Sequence, residues 1–238
     1  MADYKTRHGK LIEDPMKIME FITGGNSVFT IKNVRSGNRA TYKAVKPDLD
    51  GALFEVWAFT GSNNQRKNDY RIMGVVTETG EFKTWTWREA CAALVQKVQQ
   101  GVKGHWVDNK VKMLEAIAEG DQFVTSNMEF RLRGACSKYG VPKPGEVRDR
   151  VKLDAFPWTW NKIRFGEDIP EVVEVWHEGG CCRCAHKLSV PASIEMGMGP
   201  DCAHVLGRSE EWNLLNTKLG NDLVKYAESL AQSRAKAA

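Results

Sequence analysis

Two periods of apolar residues divide the chain. From Ser27 to Trp85 the period is two. In the first such run, Ser27 to Val34, Val28, Thr30 and Lys32 fall on one side and Phe29, Ile31 and Asn33 on the other, the mark of a half-buried strand. A turn at Arg35-Ser36-Gly37-Asn38 leads into a returning strand, Arg39 to Val45. Pro47-Asp48-Leu49-Asp50-Gly51 turns the chain into a third strand, Ala52 to Phe59. A polar loop from Gly61 to Asp69 follows, then Tyr70 to Val76 and Glu81 to Trp85 around Glu78-Thr79-Gly80. Short strands at this spacing predict an antiparallel meander or small barrel.

From residue 86 the period changes to that of a helix. Thr86-Trp87-Arg88-Glu89 spells a capping box, and Trp87, Cys91, Leu94, Val95 and Val98 share one face of a helix reaching Gln100. Asn109 to Glu119 is a second helix stopped by Gly120. Ser126-Asn127-Met128-Glu129 reads as another capping box, opening a helix that ends before Gly140 and Pro142. Before the meander, Asp14 to Phe21 is a short helix, with Pro15 in its first turn. Beyond a Pro/Gly-rich linker from Val141 to Val151, a helix is expected over Leu153 to Phe165 and a strand over Glu171 to Trp176. The last helix starts near Ser209 with Trp212, Leu215, Leu219, Leu223, Tyr226 and Leu230 at three-four spacing. Its expected use is packing on its own domain. The fold class is therefore α+β: a small antiparallel β domain (1–87), a helical block and linker (88–150) and a C-terminal module with a closing helix (151–238).

Cysteine usage adds the chemistry. Four of six cysteines lie between positions 181 and 202. Met1 to Lys10 is polar and no apolar run approaches the ~18 residues of a membrane span. A reducing cytoplasm is expected, where close cysteines point to metal rather than to disulfides. Cys181 and Cys184 have two residues between them, the spacing that lets both thiolates grip one ion. Cys202 follows Gly199-Pro200, which places it in the first turn of a helix. Structural zinc takes four sulfur or nitrogen ligands. His177, at the end of a strand with three residues between it and Cys181, is expected to close the site; His204, His186 and Cys182 are the alternatives. No acid or base stands in a deaminase-type pattern beside these ligands, so the zinc is read as structural. Cys91 and Cys136, isolated in helical patterns, are expected to be buried small hydrophobes.

The stretch Glu174-Val175-Trp176-His177-Glu178-Gly179, Cys181-x-x-Cys184, Lys187-Leu188, Pro191, Ser193-Ile194, Gly197-x-Gly199-Pro200-x-Cys202 resembles a zinc-motif family of unknown function found in bacteriophages and prophage-bearing bacteria. In several such proteins a β region precedes the motif, similar to Phe29-Thr30-Ile31 through Tyr42 and to Gly61 to Tyr70 here. Thr86 to Pro144 has the look of an insertion. Where a Gly-Arg pair usually follows the second cysteine, this chain has Ala185-His186, and it adds Cys182. The resemblance implies a phage-type accessory protein in a bacterial cytoplasm. It implies no activity.

Enzyme signatures are missing: there is no phosphate-cradling glycine loop, dinucleotide fingerprint or nucleophile elbow. A net charge of +4 is below the footprint of a strongly basic binder. The β region nevertheless interleaves aromatics with cations. Arg35, Arg39, Lys43, Trp57, Arg66, Lys67 and Arg71 are the candidate contacts for single-stranded nucleic acid. A protein partner, bound through the closing helix, is the alternative, and an enzyme of unidentified class the third. The sequence leaves the oligomeric state open.

Overall fold

A computed structural model describes residues 9–47, 51–61, 69–101, 107 and 109–237. Asp48 and Asp50 of the predicted turn, Arg66 and Lys67, and His8 and His105 lie outside the described residues, as do the side chains of Leu223, Tyr226 and Leu230.

The centre of the molecule is one antiparallel sheet of seven strands: β1 (Lys10–Leu11), β2 (Asn26–Asn33), β3 (Arg39–Val45), β4 (Ala52–Phe59), β5 (Tyr70–Thr77), β6 (Phe82–Thr84) and β7 (Val173–His177). Their order is β1-β7-β2-β3-β4-β5-β6. The meander β2 to β6 follows the alternation in the sequence. Among the described residues it stays an open sheet, with β1 and β6 at its ends. The period did not show where β7 goes. It inserts between β1 and β2, pairing Phe29 with His177 and Thr30 with Trp176. An edge strand with Phe29 and Ile31 on its apolar side leaves a row of amides unpaired, and β7 satisfies them while adding Val175 to the core. Segments 1–87 and 151–238 thus share one sheet.

Helices cover both faces. On the first, α1 (Pro15–Ile22) and α5 (Arg150–Arg164) pack over Phe29, Tyr42, Phe54 and Val56. Phe156 of α5 is fully buried among the rings of Phe29, Tyr42, Phe82 and Trp160. Helix α5 starts at Arg150, earlier than the linker reading allowed, because the Asp149 side chain accepts from the Val151 N–H at 3.0 Å and caps it. On the second face, α2 (Trp87–Gln99), α3 (Val111–Glu119) and α4 (Ser126–Tyr139) form a separate core with Ile72, Val75 and Trp85. Cys91 and Cys136 are buried in it, as expected. The Thr86–Glu89 capping box forms. The second one does not: Thr125 takes the cap position, Ser126 is already helical, and Glu129 pairs with Arg133 one turn on. An opposite charge at i+4 competes with the reach back to the cap.

The C-terminal part adds α6 (Pro191–Met196), α7 (Pro200–Val205) and α8 (Ser209–Ala237). Trp212, Leu215 and Leu219 of α8 are half-buried, in keeping with the three-four spacing. The Trp212 indole donates to Ser193 Oγ at 3.2 Å, and Arg208 just before α8 pairs with Glu20 of α1 at 3.0 Å. No helix among the described residues is long and apolar enough to cross a membrane.

Candidate metal centre and sheet face

The end of β7 runs straight into the cysteine cluster. Gly179 and Gly180 turn the chain, and Gly180 forms a bridge with Lys187, making a short ribbon. Its tip is the knuckle Cys181 to Ala185. The Ala185 N–H donates to the Cys181 carbonyl at 2.9 Å, and the Cys181 N–H to the His186 carbonyl at 2.8 Å. Ala185 takes φ of +59°, in the left-handed region that favours glycine. Opposite, Gly199-Pro200 opens α7 and sets Cys202 in its first turn, as the sequence predicts.

The thiols of Cys181, Cys184 and Cys202 come together, all sulfurs within 4.8 Å of one another. Cys181 and Cys202 are buried and Cys184 is exposed. The Cys182 thiol and the backbone N–H groups of Cys184, Arg183 and Gly199 all hydrogen-bond to the Cys181 sulfur and pull its pKa down to about 4. Burial pushes the Cys202 thiol up, while the Arg183 guanidinium beside it pulls the other way. This is a soft-donor site. Zn–S bonds of about 2.3 Å need sulfurs roughly 3.8 Å apart, so the three residues fit such an ion.

His177, the expected fourth ligand, stands outside this group. It is 1 % exposed. Its Nδ1 accepts from the Gly179 N–H at 3.0 Å and its Nε2 bonds the Ile194 carbonyl at 2.8 Å. That pair of bonds requires the neutral imidazole with its proton on Nε2. Burial lowers its pKa to about 4. For Nδ1 to reach an ion it would have to release the Gly179 amide. His177 therefore ties β7 to α6 and the glycine turn. The alternatives are also outside the group. His204 bonds Ser209 Oγ at 3.2 Å, and His186 is exposed. Cys182 is buried behind Cys181, its thiol pushed up by its bond to Cys181 and by burial.

A contact invisible in the sequence pins the knuckle to the sheet. Asn26, at the start of β2, donates its N–H to the Cys182 carbonyl at 2.6 Å. Beside it, a Cβ added at Gly24 would sit 2.6 Å from Cys182 Sγ. Gly24 is glycine because the knuckle packs on it.

The predicted nucleic-acid residues divide. Ala40, Tyr42 and Ala44 of β3 and Phe54, Val56 and Ala58 of β4 point into the first core. Alternation then puts Arg39, Lys43 and Trp57 together on the second face, with Lys43 and Trp57 paired in register. The same rule adds Lys32 and Trp176, which the sequence reading did not select. Arg71 pairs in register with Ala58, on the first face, and its Nε meets Glu146 at 3.1 Å. Arg35 is exposed in the β2–β3 turn. Other aromatics of the β region have packing roles. Trp85 is buried and donates to the Pro142 carbonyl, Phe82 packs on Phe156, and Tyr70 is buried against Phe59. The Tyr70 phenol is pushed up by burial and by the Glu178 carboxylate.

No curated protein and no solved structure matches the chain. Residues 175–207 match the model of a family of unknown function, DUF6011, and that similarity takes in the end of β7, the knuckle and all three converging thiols.

Proposed function

We propose that this is a non-catalytic, phage-type accessory protein of the bacterial cytoplasm. A structural zinc ion at Cys181, Cys184 and Cys202 locks the C-terminal segment to the sheet, and the part of the second face that carries Arg39, Lys43 and Trp57, beside the helical core, binds single-stranded nucleic acid. The observation that carries the reading is the in-register pair Lys43–Trp57, with Arg39 on the same face. A flat indole beside a cation on an antiparallel sheet is the arrangement that base stacking uses. Zinc is supported by the donor set and by amide hydrogen bonds to sulfur, which suit a thiolate-bound ion. The test is a titration of zinc-loaded protein with a labelled single-stranded oligonucleotide at low salt. Saturable binding that Trp57→Ala weakens supports the reading; no binding at low salt removes it.

A protein partner is the second reading, favoured by Phe123 and Phe130, which are 90 % and 83 % exposed on the helical block. Isolated exposed aromatics of this size suit an interface anchor. If Phe130→Asp abolishes the protein's biological effect while oligonucleotide binding is absent, this second reading stands alone.

A further inference from the structure

Helix α4 buries one face and turns the other to solvent. Leu132, Ala135, Cys136 and Tyr139 enter the second core. Gly134 lies at the middle of the outer face. At about 100° per residue, Phe130 and Ser137 fall roughly 40° and 60° to one side of it, and Arg131 and Lys138 roughly 60° and 40° to the other. All five residues are exposed. Phe130, with Phe123 just ahead of the helix, is more exposed than any other large apolar side chain among the described residues. Gly134 is not required by the fold. Its backbone is outside the positive-φ region, and an added Cβ would meet nothing within 4 Å. Alanine would serve the helix better, since glycine leaves the unfolded chain more freedom. What glycine gives is a notch. A second backbone can approach there to the short end of the about 8–10 Å spacing of packed helices. Phe130, one turn back, stands beside the notch as an anchor.

Charge names the occupant. Arg133 of the same helix is used within the fold, pairing with Glu129 at 2.8 Å and lying over the Trp87 ring. Arg131 and Lys138 are different. Lys138 lies over the Tyr139 ring, 5.7 Å from its centre, and neither cation is paired with a carboxylate among the described residues. The exposed residues of α4 include no acid. In a self-pair, Arg131 and Lys138 of each copy would meet with no carboxylate between them, which disfavours a second copy. Two cations beside an exposed phenylalanine are also too few to grip a nucleic-acid backbone. The face is complementary to a helix that brings both apolar residues and carboxylates.

We propose that the outer face of α4 docks an acidic amphipathic helix of a protein partner. The partner's backbone crosses at Gly134, its apolar stripe covers Phe130, and its carboxylates meet Arg131 and Lys138. This rests on the protein-partner reading above and gives it a site and a partner chemistry.

The experiment is a display selection on full-length zinc-loaded protein with random peptides of 14 residues, the length of α4. Selected peptides are expected to be net acidic, with apolar residues at helical spacing. Their affinity, read by fluorescence anisotropy, should fall about 30-fold or more with Phe130→Asp, the cost of losing an interface hot spot. Gly134→Ala separates docking from folding. It should raise Tm by roughly 2–4 °C and weaken the peptides about tenfold, the added methyl crowding the crossing point. A glycine that served only the fold would not do both. Peptides that bind equally well to both variants overturn this site and leave a protein partner elsewhere on the molecule. Basic or uncharged peptides bound at α4 overturn the acidic partner. A single-stranded oligonucleotide whose binding Phe130→Asp weakens gives the face to nucleic acid and overturns the proposal. A selection with no peptide bound above an unrelated control protein removes the protein-partner reading itself.

Discussion

Cys91 and Cys136 on one side, and Cys181, Cys184 and Cys202 on the other, put the same side chain in two chemical situations. The first two lie in the helical core among Leu94, Leu114 and Leu132, with burial raising their thiols to about 12 and 11. At Cys136 burial outweighs the opposing pull of Lys143, a backbone hydrogen bond and Arg133, so these cysteines act as small apolar groups. Cys181 is buried too, yet its sulfur collects hydrogen bonds from a neighbouring thiol and three amides and is pulled down to about 4. Burial alone therefore does not decide the role of a cysteine. The direction of the surrounding dipoles does, and in the knuckle the backbone has been folded to aim them at one sulfur.

Removing the metal is the harshest test of that contrast and should give the largest effect. A structural zinc contributes folding free energy directly, about 10–16 kcal/mol apparent in zinc-finger peptides. Here β7 is also held by its ladder to β2, so part of the fold should survive. Chelation, or Cys184→Ala, is expected to abolish stoichiometric zinc. A loss of about 4 kcal/mol would lower Tm by roughly 8–16 °C. Hydrogen exchange should accelerate over 178–208 before it does in β2 to β5. Cys91→Ala should retain full zinc and cost only about 1 kcal/mol. A thiol reagent applied to chelated protein sharpens the point: Cys184 should react while Cys91 and Cys136 stay silent until global unfolding. If Cys91 reacts as fast as Cys184, the contrast fails.

His177 sharpens the boundary of the centre. His177→Ala orphans the Gly179 amide and the Ile194 carbonyl and opens a cavity, at a cost of roughly 2–4 kcal/mol. Zinc content should remain full, because both ring nitrogens are engaged by backbone groups. Zinc lost from a folded His177→Ala protein would make His177 a ligand after all. The pH dependence has a definite sign. The folded pKa of about 4 lies below the ordinary 6.5, so the unfolded chain takes up the proton first. The contribution is complete above pH 6.5 and is lost as pH falls towards 4. It amounts to roughly 3 kcal/mol in all, and urea unfolding of wild type against His177→Ala isolates it.

Local order was the legible part of this fold. Strand alternation, the Thr86 cap and glycine stops marked the elements because each depends on neighbours within a few residues. The three converging thiols were legible for the same reason, since a knuckle and a helix start are local devices. What escaped depends on residues far apart in the chain. The place of β7 beside β2 follows from which edge needs a partner. The role of His177 follows from Ile194, on an element whose position the spacing does not give. Trp176 joins Trp57 on the second face only once β7 is in the sheet. Gly24 is the plainest case: a glycine in the turn after α1 is also the seat of Cys182. Gly24→Ala should cost about 1–3 kcal/mol, because the added methyl meets a buried thiol with no room to move. Thermal unfolding checks it, and an unchanged Tm would mean that the knuckle is not seated there.

The smallest expected effect has the opposite sign. Ala185 follows the second knuckle cysteine and holds φ at +59°. A Cβ in that region is worth roughly 1–2 kcal/mol of strain. Glycine removes the strain but gives the unfolded chain more freedom, a loss of about 0.5–1 kcal/mol. The balance favours glycine, so Ala185→Gly should stabilise the protein by about 0.5–1 kcal/mol with zinc stoichiometry unchanged. The Ala185 N–H to Cys181 carbonyl bond fixes this backbone shape whichever residue is present. Metal-loaded protein should therefore show the gain as a Tm rise of roughly 1–4 °C. Chelated protein, whose knuckle is released from that shape, should show none of it. A gain of equal size in both states would place the strain relief in the scaffold and detach Ala185 from the metal centre.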